Sequence, residues 1–557
     1  MAPPHRVTRR AFVQALGLSA AGAVLARRFL ARGAWAAPPP HETSAPGREY
    51  FLAIDKLPFA PSGKKRTAIA VNGMVPGPLL RWKEGETVTI HVTNNLKEPT
   101  SIHWHGILLP SNMDGVPGVS FPGIAPGETF TYTFPVRQSG TYWYHSHSEF
   151  QEQLGHYGPI IIEPAGPDPV QADREQVIFL SDWTDENPKR ILGNLKRRSG
   201  WYNWNRRTLG DFFRDAKKMG FRGAFDDYRA WAKMRMTPTD IADVSGYTFL
   251  LNGKTAGENA WVPCRPGERL RLRIINGAAM TFFDVRISGL KMSVVQADGQ
   301  NVHPVAVDEI RIGPAETYDA VVEPAAGPYT FFAEAMDRTG YARATLSTEE
   351  GAAAPVPLMR ARPARTMADM PGMEGHSMSG MAGMEGMAGM AGMDHSAHAD
   401  MAMAPGQGYK VIAYADLMPL GHHHALAPAR EVEVVLGGNM ERFIWTINGK
   451  RMQEAEPIRL GLGERVRLNL VNRTMMEHPM HLHGMLVELV GAGGMAGARK
   501  HTVMVGPNST LSADLTADAP GPWAFHCHML YHMLAGMFTT VVVAEAVAEE
   551  APSHGHH

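Results

Sequence analysis

Cysteine is almost missing from this chain: its 557 residues include two, Cys264 and Cys527. Two cysteines cannot make a disulfide framework, so a chain of this length must be held by packed cores, and two to four domains are expected. An excess of charge is missing as well, with 54 Lys and Arg against 55 Asp and Glu. On that average no basic face advertises nucleic acid or an anionic membrane. Long hydrophobic runs are also absent. The most apolar stretch near the N-terminus, residues 11–26, is rich in Ala and Gly and short for a bilayer, so no stable membrane span is expected. With 57 glycines and a 44% hydrophobic fraction, the composition suits a globular, turn-rich protein.

What is present begins with "TRRAFVQ", where Arg9 and Arg10 precede the apolar stretch and "AWA" at 34–36 offers a small-residue cleavage site. The motif resembles the twin-arginine export signal, so residues 1–36 are read as a signal peptide and the periplasm as the destination. Beyond it, apolar and polar residues alternate in short segments punctuated by Gly and Pro, the period of half-buried antiparallel strands. Three of these look like copies: "WKEGETVTIHVTNN", "CRPGERLRLRIING" and "LGLGERVRLNLVNRT", starting near 82, 264 and 462. Each has Gly-Glu, an alternating strand and then Asn. A β-sandwich present three times is expected, with domains at 46–165, 175–350 and 405–545.

Two stretches depart from the pattern. Within 206–236, Leu209, Phe212, Phe213, Ala216 and Met219 recur at helical spacing, which predicts one or two amphipathic helices decorating the second domain. The Met-rich stretch at 360–404 carries eleven of the 33 methionines between 367 and 403, with Gly and Ala and no aromatic. It cannot build a core and is expected to be a mobile segment that gathers cuprous ion through soft thioethers, helped by His376, His395 and His398. A disordered tail is expected over 546–557.

Histidine pairs carry the chemistry. His-x-His occurs at 103/105, 145/147, 481/483 and 526/528, and also in "GHHH" (422–424) and "HGHH" (554–557), which read as a solvated loop and the tail. On a strand, residues i and i+2 face one side, so each pair aims two imidazoles at one point. Four pairs supply eight ligands, the number three copper ions need when exogenous oxygen completes their coordination. Within "HCH", Cys527 points away from His526 and His528 towards a second site. With His478, His532 and Met537 it makes the thiolate, two-imidazole and weak axial thioether set of a blue-copper centre.

All four motifs stand in the order found in the multicopper oxidases, and from about 46 to 545 the chain resembles that family. The resemblance implies an all-β chain of three consecutive cupredoxin-like Greek-key domains and four copper ions. His478, Cys527, His532 and Met537 would hold type 1 copper, and His103 and His481 the type 2 ion. His105, His145, His147, His483, His526 and His528 would hold the type 3 pair. Asp114, in "NMDGVPG", matches the carboxylate that helps protons reach dioxygen, and Met476 sits where some relatives bind cuprous ion. Several bacterial relatives carry an acidic residue where this chain has Met533, so no acid is assigned on the type 3 side.

"SDWTDENP" (181–188), the helical insert and the methionine tract resemble the bacterial copper-resistance branch. The implied activity is oxidation of Cu(I) coupled to reduction of dioxygen to water. Oxidation of phenols or catechols is the alternative, and a copper-sequestering protein without catalysis the third reading. Small-molecule reductants and dioxygen are the expected partners, nucleic acid is not, and the chain is expected to be a monomer.

Overall fold

A computed structural model describes residues 49–233, 237–366, 409–421 and 427–544. The expected signal peptide, the methionines at 367–403, the "GHHH" loop and the C-terminal tail lie outside the described residues. Among those described, no helix is long and apolar enough to cross a membrane.

The strands form six sheets, and no sheet mixes strands from different thirds of the chain. Residues 49–163 build two four-stranded sheets, 174–347 a seven- and a five-stranded sheet, and 430–544 a six- and a five-stranded sheet. This is the sheet-rich cupredoxin-like architecture. Its core runs between the paired sheets, with Trp82, Trp104, Trp445 and Trp523 all buried. Cys264 is buried there as well, as a free thiol among apolar neighbours.

The three sequence copies occupy equivalent places. Strands Thr87–Asn94, Leu270–Asn276 and Arg465–Asn472 each run parallel to the first strand of their third and antiparallel to a later one. In Thr87–Asn94 the alternation puts the even positions inside, whereas Leu270–Asn276 is buried on both faces. The repeated Asn has a physical reason. Asn94, Asn276 and Asn472 are buried, and each Oδ1 accepts the N–H two residues on. Each Nδ2 donates to carbonyls of neighbouring loops, for Asn472 those of Met476, Val505 and Gly506. Only an amide both accepts and donates twice at one strand exit.

The insert is helical, with differences from the periodicity. Helix Leu209–Lys233 is broken at Gly220 (φ 80°), and Pro188–Arg197, capped by Asn187, adds a helix that the pattern did not suggest. Of the five residues at helical spacing only Ala216 is buried; Leu209, Phe213 and Met219 face solvent.

A buried ionic knot closes the second third. Asp284 accepts from Arg311 (2.7 and 3.0 Å), Arg338 (2.6 Å) and Arg360 (2.9 Å), and Arg360 also reaches Glu309 and Glu334. Burial alone would raise the Asp284 carboxyl, but the three guanidiniums outweigh it and hold it well below the usual carboxylate range. A depressed folded pKa gives stability that is present above the unfolded value, about 3.9, and is lost as pH falls below it. Asp284→Asn is expected to destabilise by about 3–5 kcal/mol at neutral pH, lowering the thermal midpoint. The gap from the parent chain should narrow in acid; a midpoint equal to the parent's at neutral pH would discount the knot.

Candidate metal centres

Strand His103–His105 pairs antiparallel with Gly140–His145, setting His103 opposite His145. Far along the chain, His478–Leu482 pairs with Gly521–Cys527, setting Met480 opposite Cys527 and His481 opposite His526. The two strand pairs bring their imidazoles together. His103, His105 and His481 form one group, His105, His145 and His528 a second, and His147, His483 and His526 a third, with the ligand atoms of each group within 4.8 Å of one another. Every group joins residues from both ends of the chain.

Hydrogen bonds on the outer side of the rings decide what faces inward. Nδ1–H donates to a backbone carbonyl from His103 (to Asp114, 2.9 Å), His145 (Ser146, 3.1 Å), His481 (His501, 2.8 Å) and His526 (Cys527, 3.0 Å). A carbonyl only accepts, so a neutral ring held in this way carries its proton on Nδ1 and leaves a bare lone pair on Nε2. The Nε2 atoms then face one another: His103 and His481 at 3.4 Å, His145 and His528 at 3.4 Å, His147 and His526 at 3.2 Å, His483 and His526 at 3.0 Å. His105 is buried with no hydrogen-bond partner at either ring nitrogen.

Protonation does not relieve this crowding. Burial first, and neighbouring imidazoles second, hold His105, His145, His147, His481, His483 and His528 well below the ordinary histidine range, while burial brings His526 to about 4. Converging lone pairs in a buried space call for cations between them, and the donor set fits metal ions that prefer imidazole.

Cys527 leaves its strand on the other face. Its Sγ lies 3.6 Å from His478 Nδ1 and 3.8 Å from His532 Nδ1, and those nitrogens are 3.2 Å apart. Here Nε2 is the outward atom, donating to Thr474 Oγ1 from His478 (2.8 Å) and to Asp243 Oδ2 from His532 (2.7 Å). The Asn472 corner holds the Thr474 segment in place, and Trp445 stacks on His532 at 3.9 Å. Met537 is buried beside the cysteine, its carbonyl accepting the Cys527 N–H at 3.1 Å. Burial pushes the Cys527 thiol up, a cost that a bound cation reverses by stabilising the thiolate.

Asp114 joins two of the groups. It is fully buried, with Oδ2 2.9 Å from His483 Nδ1 and Oδ1 3.2 Å from His103 Nδ1. The next residue must be glycine: Gly115 has φ 83°, and a Cβ there would lie 1.8 Å from the Ile102 carbonyl oxygen.

Several polar partners were not legible in the sequence. Asp243 comes from the second third, as does Asp298, whose Oδ2 accepts the N–H of His501 (3.2 Å) and Thr502 (3.1 Å) and so fixes the carbonyl that holds His481. Glu152 Oε2 lies 2.9 Å from His145 Nδ1, lining a hollow with His528 and Met533. None of these carries a spacing signal, because each meets its histidine only through tertiary contact.

Met476 lines a cavity of about 20 Å³ with Met280, Met336 and Met529 and with Asp243, Asp337 and Glu477. Asp243 closes one wall and binds His532, so the cavity abuts the cysteine site. Glu477 is paired with Arg365.

Three family profiles described as Multicopper oxidase match residues 54–167, 174–351 and 426–547. The chain is 47% identical to Copper resistance protein A of Pseudomonas syringae pv. tomato and 48% identical to that of Escherichia coli, each alignment covering 97% of this chain and all of the relative. Among solved structures, the laccase from Botrytis aclada superposes with a TM-score of 0.65 at 24% identity, over 91% of this chain and 88% of that one, a likeness of fold. The chain therefore belongs to the multicopper oxidase family and is an oxidoreductase of the copper-binding kind.

Proposed function

We propose that this chain oxidises cuprous ion one electron at a time and returns four electrons to dioxygen, as part of copper resistance in the periplasm after twin-arginine export. Four Cu(I) and four protons with one dioxygen give four Cu(II) and two waters, so electrons and atoms balance. One observation carries the choice of reductant: four methionines and three carboxylates surround a cavity in contact with the ligand-side aspartate of His532. Thioethers select Cu(I), and carboxylates favour the Cu(II) that leaves. The thioether lining therefore ranks cuprous ion ahead of phenols.

His478, Cys527, His532 and Met537 would hold the type 1 ion, and His103 and His481 the type 2 ion. His105, His145 and His528 would hold one type 3 ion, and His147, His483 and His526 the other. When bound, copper supplies the single-electron redox steps and the reduction of dioxygen, chemistry that no side chain here provides. Substrate arriving beside Met476 lies one hydrogen bond from the His532 ring, through Asp243. Cys527 is joined by its own backbone to His526 and His528, so the route between the sites is covalent. Asp114, touching both His103 and His483, is the carboxyl that would pass protons inward. The twin-arginine segment supports the periplasmic setting, and the relatives named for copper resistance support that role.

Two variants test this reading. Cys527→Ser should abolish the blue absorption of the copper-loaded protein and leave the type 2 paramagnetic signal, since thiolate-to-Cu(II) charge transfer needs that sulfur. Colour retained in the variant would sink the type 1 assignment. Met476→Leu keeps the volume and removes a thioether. Oxygen uptake with Cu(I) as sole reductant should show KM raised about tenfold, the factor expected for about 1.4 kcal/mol of lost ligation. Uptake with a phenol should be unchanged; equal loss with both reductants would remove the cavity from cuprous binding.

A further inference from the structure

The near-neutral average of the chain hides a local excess. Residues 188–233 hold 13 of the 54 Lys and Arg but only four of the 55 Asp and Glu, leaving the rest of the chain acidic. Helix Leu209–Lys233 folds back on itself at Gly220: Arg207 reaches Asp227 at 2.6 Å, and the rings of Phe212 and Tyr228 pack at 5.2 Å. Of this helix only Ala216, Ala224 and Trp231 are buried.

The outer side combines apolar and cationic groups. Leu209 and Phe213 stand four residues apart on the first arm, Phe221 and Phe225 on the second, and they are 80%, 59%, 67% and 59% exposed. The rings of Phe213 and Phe221 lie 6.4 Å apart, joining the two pairs into one strip across the turn. Lys217, Lys218, Arg222 and Arg229 are exposed on the same two arms. A cluster of exposed phenylalanines is costly in water and marks a surface meant for something else.

We infer that this hairpin docks on the surface of an anionic phospholipid bilayer, the phenylalanine strip entering the headgroup boundary and the basic side chains meeting the lipid phosphates. The pattern is that of an interfacial helix, with large apolar residues beside Lys and Arg and no span long enough to cross. Charge argues against a second copy of the chain as the occupant, since a two-fold contact would set one cationic hairpin against another. A polyanion without an apolar phase would leave the phenylalanines in water. This inference is independent of the copper chemistry: none of these residues lies at the metal groups.

Hydrogen exchange on the full-length, copper-loaded protein reads the hairpin directly, without interference from any lipid contact of residues 1–36. With vesicles of phosphatidylglycerol and phosphatidylcholine, amides of 209–233 should gain protection, and with phosphatidylcholine alone they should not. The triple variant Phe213→Ser, Phe221→Ser, Phe225→Ser and the triple variant Lys217→Glu, Lys218→Glu, Arg222→Glu should each lose that protection, exchange at 209–233 returning to its lipid-free rate. Unchanged blue absorption and thermal midpoint in both variants will show that the fold is intact. Protection that is absent with anionic vesicles, equal on neutral ones, equal with a DNA duplex, or retained in both variants would overturn the inference.

Discussion

A hydrogen bond from the outer nitrogen of a histidine ring leaves its inner nitrogen as a bare lone pair, and the rest of the site depends on that arrangement. Eight imidazoles are too many neutral acceptors to place in a dry space unless cations sit among them. Four of the outer partners are backbone carbonyls, which can only accept and so fix which ring nitrogen carries the proton in the neutral ring. Where the outer partner is a side chain, it is one that accepts firmly: Asp114 for His483, Asp243 for His532, Thr474 for His478.

Those carbonyls are fixed by the sheets. His526 donates its Nδ1–H to the carbonyl of Cys527, and His481 donates to that of His501, whose backbone Asp298 pins from the second third of the chain. The middle third contributes no histidine to the groups, yet it supplies this clamp, the Asp243 contact and most of the methionine-lined cavity. It thereby orients rings it does not itself supply. The Asn corners serve the same end, because Asn472 sets the course of the chain from Thr474 to His478.

Periodicity two made the histidine pairs legible from the residues alone, since i and i+2 on a strand must share a face, and the structure brings all four pairs together. The thrice-repeated Gly-Glu-strand-Asn was equally readable, because each copy repeats a local conformation. The insert was read less well. Helical spacing correctly indicated helices, but of the face it picked out Leu209, Phe213 and Met219 are exposed, and average charge concealed the 13 basic residues gathered there. Periodicity reports that a face is apolar and says nothing about what covers it.

By itself, then, the sequence determined the paired histidines, the alternation of the strands and the threefold repeat, because these rest on neighbours along the chain. Only the tertiary structure decided which pairs meet. It divided six imidazoles into two groups of three, set Asp114 between His103 and His483, placed Asp243 and Glu152 against His532 and His145, and set Asp298 against the backbone that holds His481. The physical reason is separation: His103 and His481 lie 378 residues apart, and no local rule fixes a hydrogen bond whose partners meet only when sheets from both ends of the chain pack together.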